Sequence, residues 1–225
     1  GDEVIIPAPY WVTYPEQVKF SDGIPVFIDT DDSTEFKITP EQLKAVITPK
    51  TKVLLLNTPS NPTGSVYTKE ELTALGKVLE GTDILVFSDE MYEKIIYNGT
   101  KFTAAAEVSE DMYNRTVTIN GLSKAVAMTG WRFGYIATPN VALAKALTKL
   151  QGQVTSNVNT MTQYAAIPAL EGEADKDIEM MRVEFEKRKN IAVKSFNEIK
   201  GLSTIDPDGA FYLFVNIKEV TNDSM

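Results

Sequence analysis

Seven short apolar runs recur along the chain: Val4–Ile6, Pro25–Ile28, Lys52–Leu56, Ile84–Phe87, Thr116–Ile119, Phe133–Ala137 and Phe211–Ile217. They are rich in Val, Ile, Leu and Phe. Several are apolar at successive positions instead of alternate ones, which suits strands buried on both faces of a parallel sheet. Segments with helical signals separate them. This alternation predicts an α/β fold, a mostly parallel sheet flanked by helices.

The helical signals are specific. Thr39 is placed to cap a helix through Pro40-Glu41-Gln42-Leu43. Thr68 with Glu71 three residues on is a capping-box pattern, and Gly81 is a stop. A further helix follows Asn140. A long one is predicted from Ala174 to Lys200, with Ile178, Met181, Phe185, Ala192, Phe196 and Ile199 on one stripe and Gly201 ending it. It leads toward a second unit near Asp206-Pro207-Asp208-Gly209, so the start of a small α+β C-terminal domain is expected there. With 225 residues the chain is long enough for one sizeable core, or one domain and part of another. The opening at Gly1-Asp2-Glu3 without Met, and the stop at Asn222-Asp223-Ser224-Met225, lead us to expect an internal piece of a longer protein.

Composition removes whole classes of chemistry. There is no histidine and no cysteine. Disulfides, thiol nucleophiles, Ser-His-Asp and Cys-His catalysis and most zinc sites are therefore excluded. Proton transfer falls to Lys, Tyr, Asp or Glu. A net charge of −9 makes nucleic acid or an anionic membrane a poor partner. No apolar run approaches membrane-spanning length. A cytoplasmic protein is expected.

The polar residues of interest sit at predicted strand ends, where open α/β sheets bind ligands. Asn57-Thr58-Pro59-Ser60-Asn61-Pro62-Thr63-Gly64 follows the third run. Taken alone it reads as a turn, although Asn61 has an amide to offer a ligand oxygen. Asp89 ends the fourth run, with Tyr92 three residues on. A carboxylate there can hold a pyridine nitrogen in its protonated form; a lone Asp at such a junction is more often a helix cap. Lys124 follows the fifth run amid Gly121, Ser123, Ala125 and Ala127. Most lysines are solvated surface charges, but a partly buried one loses proton affinity, as a Schiff-base former must. Arg132, eight residues on and between Gly130 and Gly134, is expected to be a fixed, semi-buried fork for a phosphate. An amine for an aldehyde and a guanidinium for a phosphate suit one molecule, pyridoxal 5′-phosphate (PLP). Trp11 after the first run is as well suited to stacking on a flat ring as to filling core.

Together these motifs resemble the class I/II aminotransferases of PLP fold type I, in particular the bacterial aspartate and prephenate aminotransferase subgroup. The resemblance runs from Gly1-Asp2-Glu3-Val4 and Pro7-Ala8-Pro9-Tyr10-Trp11 to Pro207-Asp208-Gly209-Ala210-Phe211-Tyr212. It includes Asn57-x-Pro59-x-Asn61-Pro62-Thr63-Gly64, Asp89-Glu90-x-Tyr92, Ser123-Lys124 through Gly130-x-Arg132-x-Gly134, and Thr155-Ser156-Asn157. The resemblance implies that Lys124 forms the Schiff base with PLP and then moves the substrate proton. It implies that Asp89 pairs with the pyridine nitrogen, Tyr92 and Asn61 bond the ring oxygen, Trp11 stacks on the ring and Arg132 binds the phosphate. It further implies a cis Asn61–Pro62 bond, a homodimer with Ser156 and Asn157 near the partner's site, and a PLP-binding large domain over 1–172 followed by the small domain over 173–225.

This sequence departs from the family at Gly121, where relatives often carry a phosphate-binding hydroxyl. By the same resemblance, a glycine-rich phosphate loop and a tyrosine reaching across the dimer should precede Gly1, and the arginine for the substrate carboxylate should follow Met225. The implied activity is amino transfer between an L-amino acid, aspartate or a relative of it, and a 2-oxo acid by the full-length protein, with the 225-residue piece itself inactive. Alternatives are another fold-type-I PLP enzyme (a carbon–sulfur lyase or an acyl-transferring synthase) and the aminotransferase-like domain of a transcription regulator.

Overall fold

The computed structural model describes residues 1–221. Six strands form one sheet: β1 (Glu3–Ala8), β2 (Ile24–Asp29), β3 (Thr51–Asn57), β4 (Leu85–Asp89), β5 (Thr116–Gly121) and β6 (Gly134–Ala137), in the spatial order β2-β1-β3-β4-β5-β6. All neighbours are parallel except β5 and β6. The helices are α1 (Thr13–Phe20), α2 (Pro40–Val46), α3 (Lys69–Leu79), α4 (Glu110–Arg115), α5 (Val141–Val154), α6 (Thr160–Leu170) and α7 (Asp175–Asn197).

The runs of successive apolar residues have their reason in this layering. Ile5, Leu54, Leu56 and Val86 face one side of the sheet and pack with Leu43 of α2, Leu72, Leu75 and Leu79 of α3, and Met112 of α4. Ile6 and Leu55 face the other side, against Tyr14 and Val18 of α1. Each fully buried aliphatic side chain contributes about 1.5–3 kcal/mol, so both registers of β1 and β3 are specified at once.

The three predicted helix starts are present. Thr39 and Thr68 each form a full capping box, with Gln42 and Glu71 returning the bond. Asn140 accepts from Leu143 N at 3.0 Å. Gly81 follows α3 at φ +76°.

Three helices went unpredicted. α1 starts at Val12 without a side-chain cap, α4 is only six residues long, and α6 buries just Thr162 and Ala166. The α7 stripe is right through Phe196, but Ile199 lies past the helix end and is half exposed.

The predicted strand Phe211–Ile217 is not a strand. Within it, the described residues pair only at Asn216, which exchanges backbone hydrogen bonds with Ser203 at 3.1 and 2.7 Å. Its first residues are engaged in ring contacts instead. Phe211 and Tyr212 pack against Tyr92, with ring centroids 5.2 and 5.7 Å away. Residues 222–225, the last of the expected second unit, lie outside the described residues.

Candidate functional site

Parallel pairing puts the carboxyl ends of β1, β3, β4 and β5 on one edge of the sheet. The register sets Asn57 opposite Asp89, and Asp89 opposite Ile119. The three predicted strand-end segments therefore open side by side.

Asn57 ties two of them together. Its Nδ2 donates to the Asp89 carbonyl at 3.0 Å, and its Oδ1 accepts from Asn61 N at 2.7 Å. Asn61 is thereby fixed at the start of a tight loop, in which Asn61–Pro62 is cis, as the resemblance implied.

Asp89 is held from two sides. Met91 N donates to Oδ1 at 3.3 Å, and the buried Tyr14 hydroxyl donates to Oδ2 at 2.6 Å. The cap reading of Asp89 is thus partly right, but the residues after it form a turn and not a helix. Burial pushes the Asp89 carboxyl above the usual range, against the lowering effect of those two bonds. Burial also raises the Tyr14 phenol, helped by the Asp89 charge, so Tyr14 keeps its proton and remains the donor.

Tyr92 is 4% exposed, and its hydroxyl lies 2.7 Å from that of Tyr212, which also accepts from Asn61 Nδ2 at 3.3 Å. Burial and the neighbouring Tyr212 push the Tyr92 phenol upward. Tyr92 and Asn61 are thus brought together, as predicted.

Lys124 leaves β5 on a turn closed by Ala127 N to Lys124 O at 3.2 Å. It is half-buried, with Nζ 5.7 Å from the centre of the Tyr92 ring and 5.4 Å from that of Phe211. Among the described residues no carboxylate forms an ion pair with it. It is therefore not an ordinary surface lysine. Trp11 stands 40% exposed, edge-on to Tyr14 at 5.4 Å, so it does not fill core.

Arg132 differs from expectation. It is exposed, not semi-buried. Its backbone is left-handed at φ +55°, and the side chain curls back to donate from Nη1 to Thr129 O at 2.8 Å. The reason lies in its surroundings: neither β6 nor α5 has a buried residue. Arg132 lines an open cleft of about 1440 Å³ together with Asn120, Tyr135, Ser156 and Asn157. Gly121 has a steric explanation. A Cβ there would lie 2.7 Å from Phe133 O and 3.0 Å from Gly134 Cα, so the β5–β6 crossing leaves no room for a hydroxyl-bearing side chain.

Sequence reasoning passed over Tyr14, Asn57 and Tyr212 as members of this cluster. Tyr14 follows Trp11 by one helical step, a usable signal. Tyr212 lies 120 residues from Tyr92 and carried none.

The model of the family "Aminotransferase class I and II" matches residues 1–225. The chain belongs to the class I and II aminotransferases. It is 51% identical over 219 residues to the aspartate aminotransferase of Geobacillus stearothermophilus, covering 97% of this chain and 55% of that one. It is 47% identical over 218 residues to the asparagine–oxo-acid transaminase of Streptococcus mutans, covering 97% of this chain and 55% of the relative. The crystal structure of the aspartate aminotransferase from Rhizobium meliloti superposes with a TM-score of 0.94 at 42% identity, over 98% of this chain and 55% of that one. The chain thus spans about half the length of the class I and II aminotransferases it matches.

Proposed function

We propose that the whole protein to which this chain belongs transfers an amino group between an L-amino acid, aspartate or a close relative of it, and a 2-oxo acid, with PLP as cofactor. The observation that carries this reading is the row of strand ends at which Asp89, the Asn61–Tyr92 pair and Lys124 converge. The names of the similar proteins favour amino transfer over lyase or synthase chemistry and over a regulatory role.

The donor set fits the cofactor. A buried carboxyl with a raised pKa gains most from a cationic partner, which a protonated pyridine nitrogen supplies. The Tyr92 phenol, kept protonated, and the Asn61 amide suit a ring oxygen. The half-buried Lys124 amine, free of an ion pair among the described residues, suits an aldehyde. The exposed face of Trp11 suits stacking, and the Arg132 guanidinium, which among the described residues forms no ion pair, suits a phosphate. PLP, when bound, supplies the electron sink that makes the substrate Cα–H acidic.

The protein's own part in the chemistry follows from these positions. Asp89, oriented by Tyr14, would hold a proton at the pyridine nitrogen. Lys124 would hold the cofactor through its amine and would serve as the base for the substrate Cα proton. The rings of Tyr92 and Phe211 flank the amine at 5.7 and 5.4 Å. We propose further that residues 1–172 form the cofactor-binding unit and 173–225 the start of a second, that the whole protein is a homodimer, and that it works in the cytoplasm. Among the described residues no helix is long and apolar enough to cross a membrane.

A donor–acceptor screen on the full-length protein tests the activity. Aspartate with 2-oxoglutarate should yield oxaloacetate and glutamate. Release of a thiol, pyruvate and ammonia from a cysteine S-conjugate, with no amino transfer from any donor, would place the protein among the lyases instead.

A further inference from the structure

The segment that leaves α7 is locked onto the strand-end loops. Gly209 N donates to Gly64 O at 2.8 Å, Ala210 N to Ile95 O at 3.0 Å, and Tyr97 N to Asp208 O at 2.8 Å. The approach is so close that neither partner glycine tolerates a side chain. A Cβ on Gly64 would lie 2.5 Å from Pro207 Cβ, and one on Gly209 would lie 2.8 Å from Pro59 Cβ. The Tyr97 hydroxyl also donates to the Ala210 carbonyl. Tyr212, two residues past this lock, is therefore set in place by backbone. Its hydroxyl meets two groups of the site, Asn61 Nδ2 at 3.3 Å and the Tyr92 hydroxyl at 2.7 Å.

One of these directions is fixed by the groups. An amide nitrogen only donates, so the Tyr212 oxygen accepts from Asn61. Between the two hydroxyls either can donate, and the Tyr212 proton has the Tyr92 oxygen within reach. With Tyr212 as the donor, the Tyr92 proton is left for the space beside Lys124.

We propose that Tyr212 is a positioning residue of the cofactor site, fixing the Tyr92 hydroxyl as a donor aimed at the ring oxygen of PLP and polarising it through the chain Asn61–Tyr212–Tyr92. The inference rests on the PLP reading above. Donation into Tyr92 makes it a stronger donor in turn, because hydrogen bonds in series polarise one another. A donor on the ring oxygen stabilises its negative charge once the neighbouring nitrogen has lost a proton, and so lowers the pH at which that proton leaves. Removing Tyr212's hydroxyl must raise that pH. The lock on the 207–210 segment also makes this tuning depend on where the chain beyond α7 sits.

The test uses the full-length protein loaded with PLP and follows visible absorbance against pH for wild type, Tyr212→Phe and Tyr92→Phe. Phenylalanine keeps the ring contacts with Tyr92 and Phe211 and removes only the hydroxyl. Tyr212→Phe should bind a full complement of PLP and shift the midpoint upward by about half a unit to one unit, less than Tyr92→Phe does. A purely packing role for Tyr212 would alter thermal stability and leave the midpoint in place. An unmoved midpoint in Tyr212→Phe, with Tyr92→Phe shifted, overturns the role given to Tyr212 and leaves the cofactor reading intact. A wild-type protein with no pH-dependent visible band overturns both.

Discussion

At the scale of single residues, the site is defined by carboxyls and phenols kept out of water. Tyr14 donates to Asp89; the phenol is buried and the carboxyl half-buried. Tyr14→Phe leaves Oδ2 without its donor and raises the Asp89 carboxyl further, weakening its grip on a cationic ring. A hydrogen bond to a charged group contributes about 1.5–3 kcal/mol, so PLP affinity should fall roughly tenfold or more in an absorbance titration. An unchanged affinity would detach Tyr14 from the site.

Glu90 is a second buried carboxyl, 1% exposed, pushed up to about 7 by burial and by the charges of Glu93 and Glu107. It accepts from Ser88 Oγ at 2.7 Å and from Ala105 N at 3.1 Å. Because its folded pKa lies above the usual 4.5, its favourable contribution is complete below about pH 4.5 and is lost as pH rises through about 7. Glu90→Gln cannot titrate, while its amide oxygen can still accept both bonds. Between pH 5 and 8 the wild type should lose about 2–3 kcal/mol more unfolding free energy than the variant. Parallel urea midpoints across that range would refute this.

At the scale of elements, the legible parts of the fold were those with local physical causes. The capping boxes at Thr39 and Thr68, the cap at Asn140 and the successive apolar residues of β1 and β3 each announce their element, because a cap or a two-faced strand is a property of neighbouring residues. Phe211–Ile217 misled for the opposite reason. Its aromatic residues look strand-like, but a strand exists only through its neighbours, and here Phe211 and Tyr212 are claimed by Tyr92. The site followed the same rule. Asp89, Asn61 and Lys124 could be picked out because each ends a strand or follows one within four residues, whereas the Tyr14–Asp89 and Tyr212–Tyr92 contacts are products of tertiary packing. Arg132 was misjudged because flanking glycines say nothing about whether an edge strand is covered. The Gly64–Gly209 crossing tests the element level directly. Gly64→Ala combines a left-handed backbone at φ +73° with the contact to Pro207. It should lower stability by more than about 2 kcal/mol, the strain cost alone being about 1–2 kcal/mol. A urea midpoint equal to wild type would mean that the 207–210 segment does not sit where it is described.

At the scale of the whole molecule, the sheet carries the functional logic. Four parallel strands deliver Trp11, Asn57, Asp89 and the β5 exit to one edge, and the chain beyond α7 returns to that edge through Tyr212. Membership of the class I and II aminotransferases agrees with this arrangement, and the comparison covers about half of each relative's length. The account turns on Lys124 as the covalent anchor. Borohydride reduction of the full-length protein loaded with PLP, followed by digestion and mass measurement, addresses that directly. The predicted result is a single pyridoxyl adduct on the peptide containing Lys124, absent from Lys124→Ala. An adduct on a different lysine, or one that persists in Lys124→Ala, would contradict it.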